Sequence, residues 1–205
     1  VDVDLGPGEV VLIEPGAMSR MSSNMKSSFK RQGSFFSAIF RKIFGGENFF
    51  LGKYEHPNGG SLTFAPSIPG HVEHRQLSNN SLNVMAGCFL ACTSGVNIKA
   101  KFGGLKAFFS GEGAFLLEAS GSGDLFFNSF GGIVKKEING EFIVDTGHVV
   151  AFDSSLNYSI TGMGNFKSTM LSGEGLVMKF KGAGTLYLQT RNVSSVASWL
   201  TPRLL

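Results

Sequence analysis

Cysteine and charge are scarce in this sequence and long apolar runs are missing, and each shortage removes a class of protein. Two cysteines in 205 residues exclude the disulfide framework of small secreted domains. Cys88 and Cys92 fall in the apolar run Asn83 to Thr93. On one strand they would share a face about 13 Å apart, too far to bridge, which predicts two buried thiols. His56, His71, His74 and His148 show no zinc-site arrangement with them, so no metal or other cofactor is expected. Charged residues are 16% and hydrophobic residues 42%, a balance that excludes a disordered chain. A net charge of +3 favours polyanions or anionic membranes but falls short of the dense basic stripe of a dedicated nucleic-acid binder. No run of about 18 apolar residues occurs, and Val1 to Val11 carries Asp2, Asp4 and Glu9 where a signal peptide needs positive charge. A soluble chain is expected, cytoplasmic if prokaryotic. The sequence begins without Met, which leaves open a trimmed leader and a mitochondrial place if eukaryotic.

What the chain has is glycine and phenylalanine. The 28 glycines are about twice the usual share, and 20 phenylalanines supply bulk, a pairing that suits short strands joined by tight turns. The length fits one domain with a substantial core. A Gly-Glu pair recurs at Glu47, Glu112 and Glu174, at intervals of 65 residues (from 47 to 112) and 62 (from 112 to 174). Each pair precedes a strand-like run and then a glycine turn, at Asn58-Gly59-Gly60, Gly121-Ser122-Gly123 and Gly182-Ala183-Gly184, followed by another β-rich run. These read as hairpins. Upstream lies a second shared element, an apolar run, a glycine and an alternating run, centred on Gly16, Gly87 and Gly147.

These patterns predict an all-β fold of three repeated β-subdomains, at about residues 5–75, 76–137 and 138–200, within a single domain. One copy cannot bury its apolar face alone, so the three should pack around a pseudo-threefold axis, and closure would protect sheet edges. Two segments depart from β. Ser34 to Phe44 sets Phe36, Ile39, Phe40 and Ile43 at helical spacing beside Arg41 and Lys42, and Ser194 to Leu200 suits a helical turn or two ended by Pro202.

The blocks Gly45-Gly46-Glu47-Asn48-Phe49-Phe50-Leu51, Gly111 to Leu117, Asp145 to Asp153, Pro15-Gly16-Ala17-Met18 and Gly184 to Thr190 resemble signatures of the "altered inheritance of mitochondria twenty-four" family. The resemblance spans about residues 8–200. It implies a triplicated short double-stranded β-helix like the tryptophan RNA-binding attenuation protein (TRAP) fold. It also implies a family of largely undefined activity, whose mitochondrial members are linked to inner-membrane organisation. No catalytic or ligand residue belongs to the family pattern.

The candidate chemistry is correspondingly sparse. Glu47, Glu112 and Glu174 could converge near an axis as ion or proton ligands, but a residue repeated once per subdomain more simply satisfies backbone donors at an equivalent turn. His148, near Asp145 and Asp153, invites a general base, yet no nucleophile sits in a recognised setting and the enzymatic reading is the weakest. Ser120 to Asp124 and Gly103-Gly104 lack the following helix that a phosphate cradle needs and read as hairpin turns. The basic stretch Lys26, Lys30, Arg31, Arg41 and Lys42 interleaves with Phe29, Phe35, Phe36 and Phe40. It suits an anionic membrane surface, a protein partner or single-stranded nucleic acid, or phenylalanines that cap the core beneath solvated cations. The expectation is a non-enzymatic scaffold or binding protein that self-associates or docks a partner, with an RNA-binding oligomer as the alternative and no small-molecule ligand identifiable.

Overall fold

A computed structural model of the chain describes residues 1–31, 50–102, 115–162 and 176–204, and these are almost entirely β. The first six strands are β1 (Asp2–Leu5), β2 (Val10–Ile13), β3 (Met18–Met21), β4 (Lys26–Arg31), β5 (Phe50–Glu55) and β6 (Gly60–Phe64). Then come β7 (Val72–Met85), β8 (Phe89–Thr93), β9 (Val96–Phe102) and β10 (Phe115–Asn128), followed by β11 (Ile133–Asp145), β12 (Val149–Asp153), β13 (Asn157–Gly162) and β14 (Leu176–Gln189). One helix, α1 (Val193–Leu204), follows.

Two long strands organise the sheets. β10 carries β7 along one edge and β9 and β8 in succession along the other, all antiparallel. β14 carries β11 on one edge and β13 and β12 on the other. At the N-terminus the same places are filled by shorter pieces. β5 lies between β2 and β4, and β6 between β1 and β3. The pieces are joined across two seams, where β8 pairs β2 and β12 pairs β7. A three-stranded and an eleven-stranded sheet result.

The core follows the apolar runs. β8 and β12 are each buried at four consecutive positions, as expected of strands covered on both faces. Phe89, Phe127, Phe152, Phe180 and Tyr187 are fully buried, and each contributes about 1.5–3 kcal/mol relative to exposure. Phe152 meets Phe180 and Tyr158 edge to face, at ring separations of 5.0 and 5.2 Å.

Four expectations are corrected. Gly121-Ser122-Gly123 and Gly182-Ala183-Gly184 do not reverse the chain, since β10 and β14 run through them as single 14-residue strands. Glycine is required there for another reason. Gly121 sits at φ +118°, and a Cβ on it would collide with the Gly95 carbonyl oxygen in the turn that leads into β9. Only Asn58-Gly59-Gly60 is a turn, between β5 and β6. The run Asn83 to Thr93 is not one strand, because a one-turn 3-10 helix, Ala86–Cys88, divides β7 from β8. Both thiols are nonetheless buried, and neither is in a disulfide. α1 passes through Pro202 to Leu204. The proline ring has helical φ and costs only the one bond to the Ser198 carbonyl near the helix end, where Arg203 also donates to the Trp199 carbonyl oxygen. The fourth concerns closure. Among the described residues β3 is an edge of the three-stranded sheet, paired only with β6, and β11 is one end of the eleven-stranded sheet, paired only with β14, so neither sheet returns on itself. The helix expected at Ser34 to Phe44 lies outside the described residues, as do Glu47, Glu112 and Glu174.

Candidate docking surface

His148 stands at the end of a second 3-10 turn, Thr146–His148, between β11 and β12. Asp145 caps this turn by accepting the Gly147 amide at 2.7 Å. Gln189 clamps it from β14, with Nε2 donating to the Gly147 carbonyl at 2.7 Å and Oε1 accepting the Phe130 amide at 2.9 Å. The His148 Nδ1 lies 2.8 Å from the Gln189 carbonyl oxygen, a contact that requires Nδ1 to carry the proton. Neither nearby carboxylate orients the imidazole. Asp145 is spent on the turn, and Asp153 accepts the Thr185 amide at 2.8 Å and pairs with Arg75 at 2.9 Å. Arg75 also donates to the Tyr187 hydroxyl at 2.8 Å, so its guanidinium ties β7 to β12 and β14 across the seam.

Sequence reasoning missed two features. His74 on β7 lies 2.8 Å from Asp124 on β10 and stacks on Phe126 at 4.9 Å, in a cleft of about 550 Å³ that Val3, Leu5, Val11 and Thr93 help to line. The pair is 50 residues apart in the chain, and only the β7–β10 register brings it together. The second is Glu14, directly after β2. Burial pushes its carboxyl up from 4.5 to about 7. Its neighbour Cys88 is pushed up to about 12 by burial first and by the Glu14 charge second, so that thiol is inert at neutral pH. Glu14 shows no sequence signal, because its surroundings come from across the seam, where the Leu90 carbonyl of β8 accepts the Glu14 amide at 2.8 Å.

Of the basic stretch, Lys26, Lys30 and Arg31 all lie on β4, opposite Glu55, Leu51 and Phe50. Lys26 is exposed and Phe29, on the same strand, is 79% exposed, so this phenylalanine does not cap the core. Among the described residues β4 is an edge strand, paired only with β5. Phe36, Phe40, Arg41 and Lys42 lie outside the described residues.

Large apolar side chains are exposed at two further places. One is α1, which buries no residue and shows Val193, Val196, Trp199, Leu200 and Leu204 to solvent. The other is split between β3, with Met18 and Met21, and β11, with Val134 and Ile143. Beside Ile143 a cleft of about 530 Å³ is lined by Phe142, Tyr158 and Phe180, with Lys179 and Lys181 at its rim. No group of three or more His, Cys, Asp or Glu side chains arranged for a metal ion occurs among the described residues. No helix among them is long and apolar enough to cross a membrane.

Long strands flanked by paired short ones, with one C-terminal α-helix among the described residues, define an all-β protein. The chain belongs to the family described as mitochondrial biogenesis AIM24, whose model matches residues 1–191, as the sequence motifs indicated. It is 31% identical over 209 residues to an uncharacterised protein of Streptococcus pyogenes serotype M6, a match covering 98% of this chain and 84% of that one. A crystal structure of a Streptococcus pyogenes protein is similar throughout, with a TM-score of 0.84 at 30% identity, covering all of this chain and 93% of the other. α1 lies past the matched span.

Proposed function

We propose that this protein is a non-enzymatic β-scaffold, built of three related β-units like the triplicated TRAP-type β-helix, which works at a membrane surface by presenting exposed apolar side chains. Support for three units comes from strand pairing. Gly16, Gly87 and Gly147 each precede a short strand that pairs with the end of a longer edge. In all three cases the register slips by one residue, between Met18 and Arg20, at Phe126/Phe127, and between Val149 and Ala151. Three coincident bulges are the mark of a duplicated element. The scaffold reading is also favoured by His148, whose ring is oriented by a backbone carbonyl and not by a carboxylate.

The observation that carries the membrane-surface reading is α1. A 12-residue helix with no buried residue spends its apolar side chains on solvent, an arrangement suited to a helix that another surface receives. Trp199, the only tryptophan of the chain, lies on it and is 59% exposed. Its emission therefore reads docking directly. Titration with phosphatidylglycerol vesicles is expected to blue-shift that emission, and a spectrum unchanged at saturating lipid overturns the reading. His148→Ala should leave the shift unaltered.

A second reading, binding to single-stranded RNA, is favoured by edge strand β4, on which both Phe29 and Lys26 are exposed. Filter binding over a salt series tests it, because phosphate contacts impose a steep salt dependence.

A further inference from the structure

The three short strands that follow Gly16, Gly87 and Gly147 have the same bulged pairing but different fates. β8 and β12 each have a strand on both edges, β8 between β10 and β2, β12 between β14 and β7. β3 has β6 on one edge and, among the described residues, nothing on the other. Counting from the marker glycines, the seam pairs are Ala91 with Ile13, Cys92 with Leu12 and Thr93 with Val11. The second seam repeats them as Ala151 with Val84, Phe152 with Asn83 and Asp153 with Leu82. The series has one term left on each side. β3 and the residue after it offer Arg20, Met21 and Ser22, and β11 offers Val144, Ile143 and Phe142.

Burial marks both as unfilled. Met21 is 42% exposed, whereas Cys92 and Phe152 at its place are fully buried. Ile143 is 58% exposed, whereas Leu12 and Asn83 at its place are buried. An open strand edge with an apolar side chain held out at the register position where the seam would form is a template for strand addition.

We propose that β3 of one copy of this chain adds antiparallel to the outer edge of β11 of a second copy, with Arg20 opposite Val144, Met21 opposite Ile143 and Ser22 opposite Phe142. The inference rests on the reading of three related units. The occupant is a second copy because the two exposed edges are the two halves of a seam that this chain already forms twice internally. The contact is heterologous, one copy giving β3 and the other β11, so it propagates head to tail or closes into a ring. The cleft beside Ile143, walled by Phe142, Tyr158 and Phe180, receives the Met21 side chain. Ser19 and Arg20 stand where β8 and β12 have buried Leu90, Ala91, Val150 and Ala151. Arg20 is already held by Asp2 and Thr63 on the opposite edge. The intermolecular seam is therefore smaller and more polar than the internal ones, which makes the association reversible.

Sedimentation velocity of the full chain across the micromolar range tests this. The unsubstituted protein is expected to gain mass with concentration, and M21D and I143D each to stay monomeric with an unchanged melting temperature, since both positions are exposed. Mixing the two variants leaves one intact β3 edge and one intact β11 edge, so the mixture should form dimers and stop there. A chain that stays monomeric throughout, variants that associate like the unsubstituted protein, or a mixture that remains monomeric each overturns the proposal. As a second measurement, M21C/I143C should form interchain disulfides on oxidation, and no crosslink overturns the register, because opposed strand residues lie within disulfide reach. Trp199 emission with vesicles reads α1 separately, so failure of the seam and failure of the membrane-surface reading are distinguishable.

Discussion

β3 and β12 are placed alike against their long neighbours, yet one is exposed at every position and the other is buried at all but its last. Both are short, both follow a glycine turn, and both slip register by one residue against the strand they share. What separates them is the neighbour on the far edge. β12 has β7, while β3 has none among the described residues. Residue type follows that difference, with Val149-Val150-Ala151-Phe152 against Met18-Ser19-Arg20-Met21. Here burial is a property of the seam and not of the strand.

The widest gap is expected at the equivalent pair Phe152 and Met21. Phe152→Ala removes a fully buried ring from between Phe180 and Tyr158 and should cost about 3–5 kcal/mol in urea unfolding. Met21→Ala should fall within about 0.5 kcal/mol at concentrations where the chain is monomeric. Equal costs would break the comparison. Next is the β7–β12 seam, held by a polar tie that β3 does not have. Arg75→Ala leaves Tyr187 without its donor and Asp153 without its cation, and should cost about 2–4 kcal/mol in the same assay.

A smaller effect sharpens the contrast between the two internal seams. At the β2–β8 seam the residue after the strand is Glu14, and at the β7–β12 seam the last strand residue in that place is Met85. Burial raises the Glu14 carboxyl from 4.5 to about 7, so the folded state holds its proton more tightly than the unfolded chain. That stability is fully present below pH 4.5 and is lost as the pH rises through 7. Glu14→Gln should therefore match the parent near pH 4.5 and exceed it by about 1–2 kcal/mol at pH 8, a figure reduced for partial solvent access. Thermal melts of both proteins at the two pH values check this, and a constant difference would assign Glu14 another role. The smallest expected effect is chemical. Cys88 should resist thiol reagents at pH 8 in the folded protein and react only on unfolding, since its pKa is pushed up to about 12.

Much of the strand inventory was legible. The glycines at 16, 87 and 147 and the apolar runs around them have a local signature, because the glycines recur at the break before each short strand and a doubly covered strand demands continuous apolar residues. Gly121 and Gly182 were misread for a related reason. A glycine that turns the chain and one that takes a positive φ within a continuous strand, as at +118° and +128° here, look the same in one dimension. Pro202 likewise signals a stop, but in the last turn of a helix it costs a single backbone bond and the helix continues to Leu204. Of the candidate surface, Lys26, Lys30 and Arg31 were visible as a basic run, but their sharing an edge strand was not. The His74–Asp124 cleft and the half-buried Glu14 had no signal, since each depends on strands far apart in the chain.

By itself the sequence determined the β class, the family and the glycine-marked alternation of turns and strands, because backbone sterics and side-chain periodicity act over a few residues. Tertiary structure alone decided which strands acquired neighbours on both edges, which carboxyl lost its water and which apolar side chains were left facing solvent. Those outcomes depend on what arrives across a seam from 60 or more residues away, as Ala151 meets Val84 while Met21 meets nothing among the described residues.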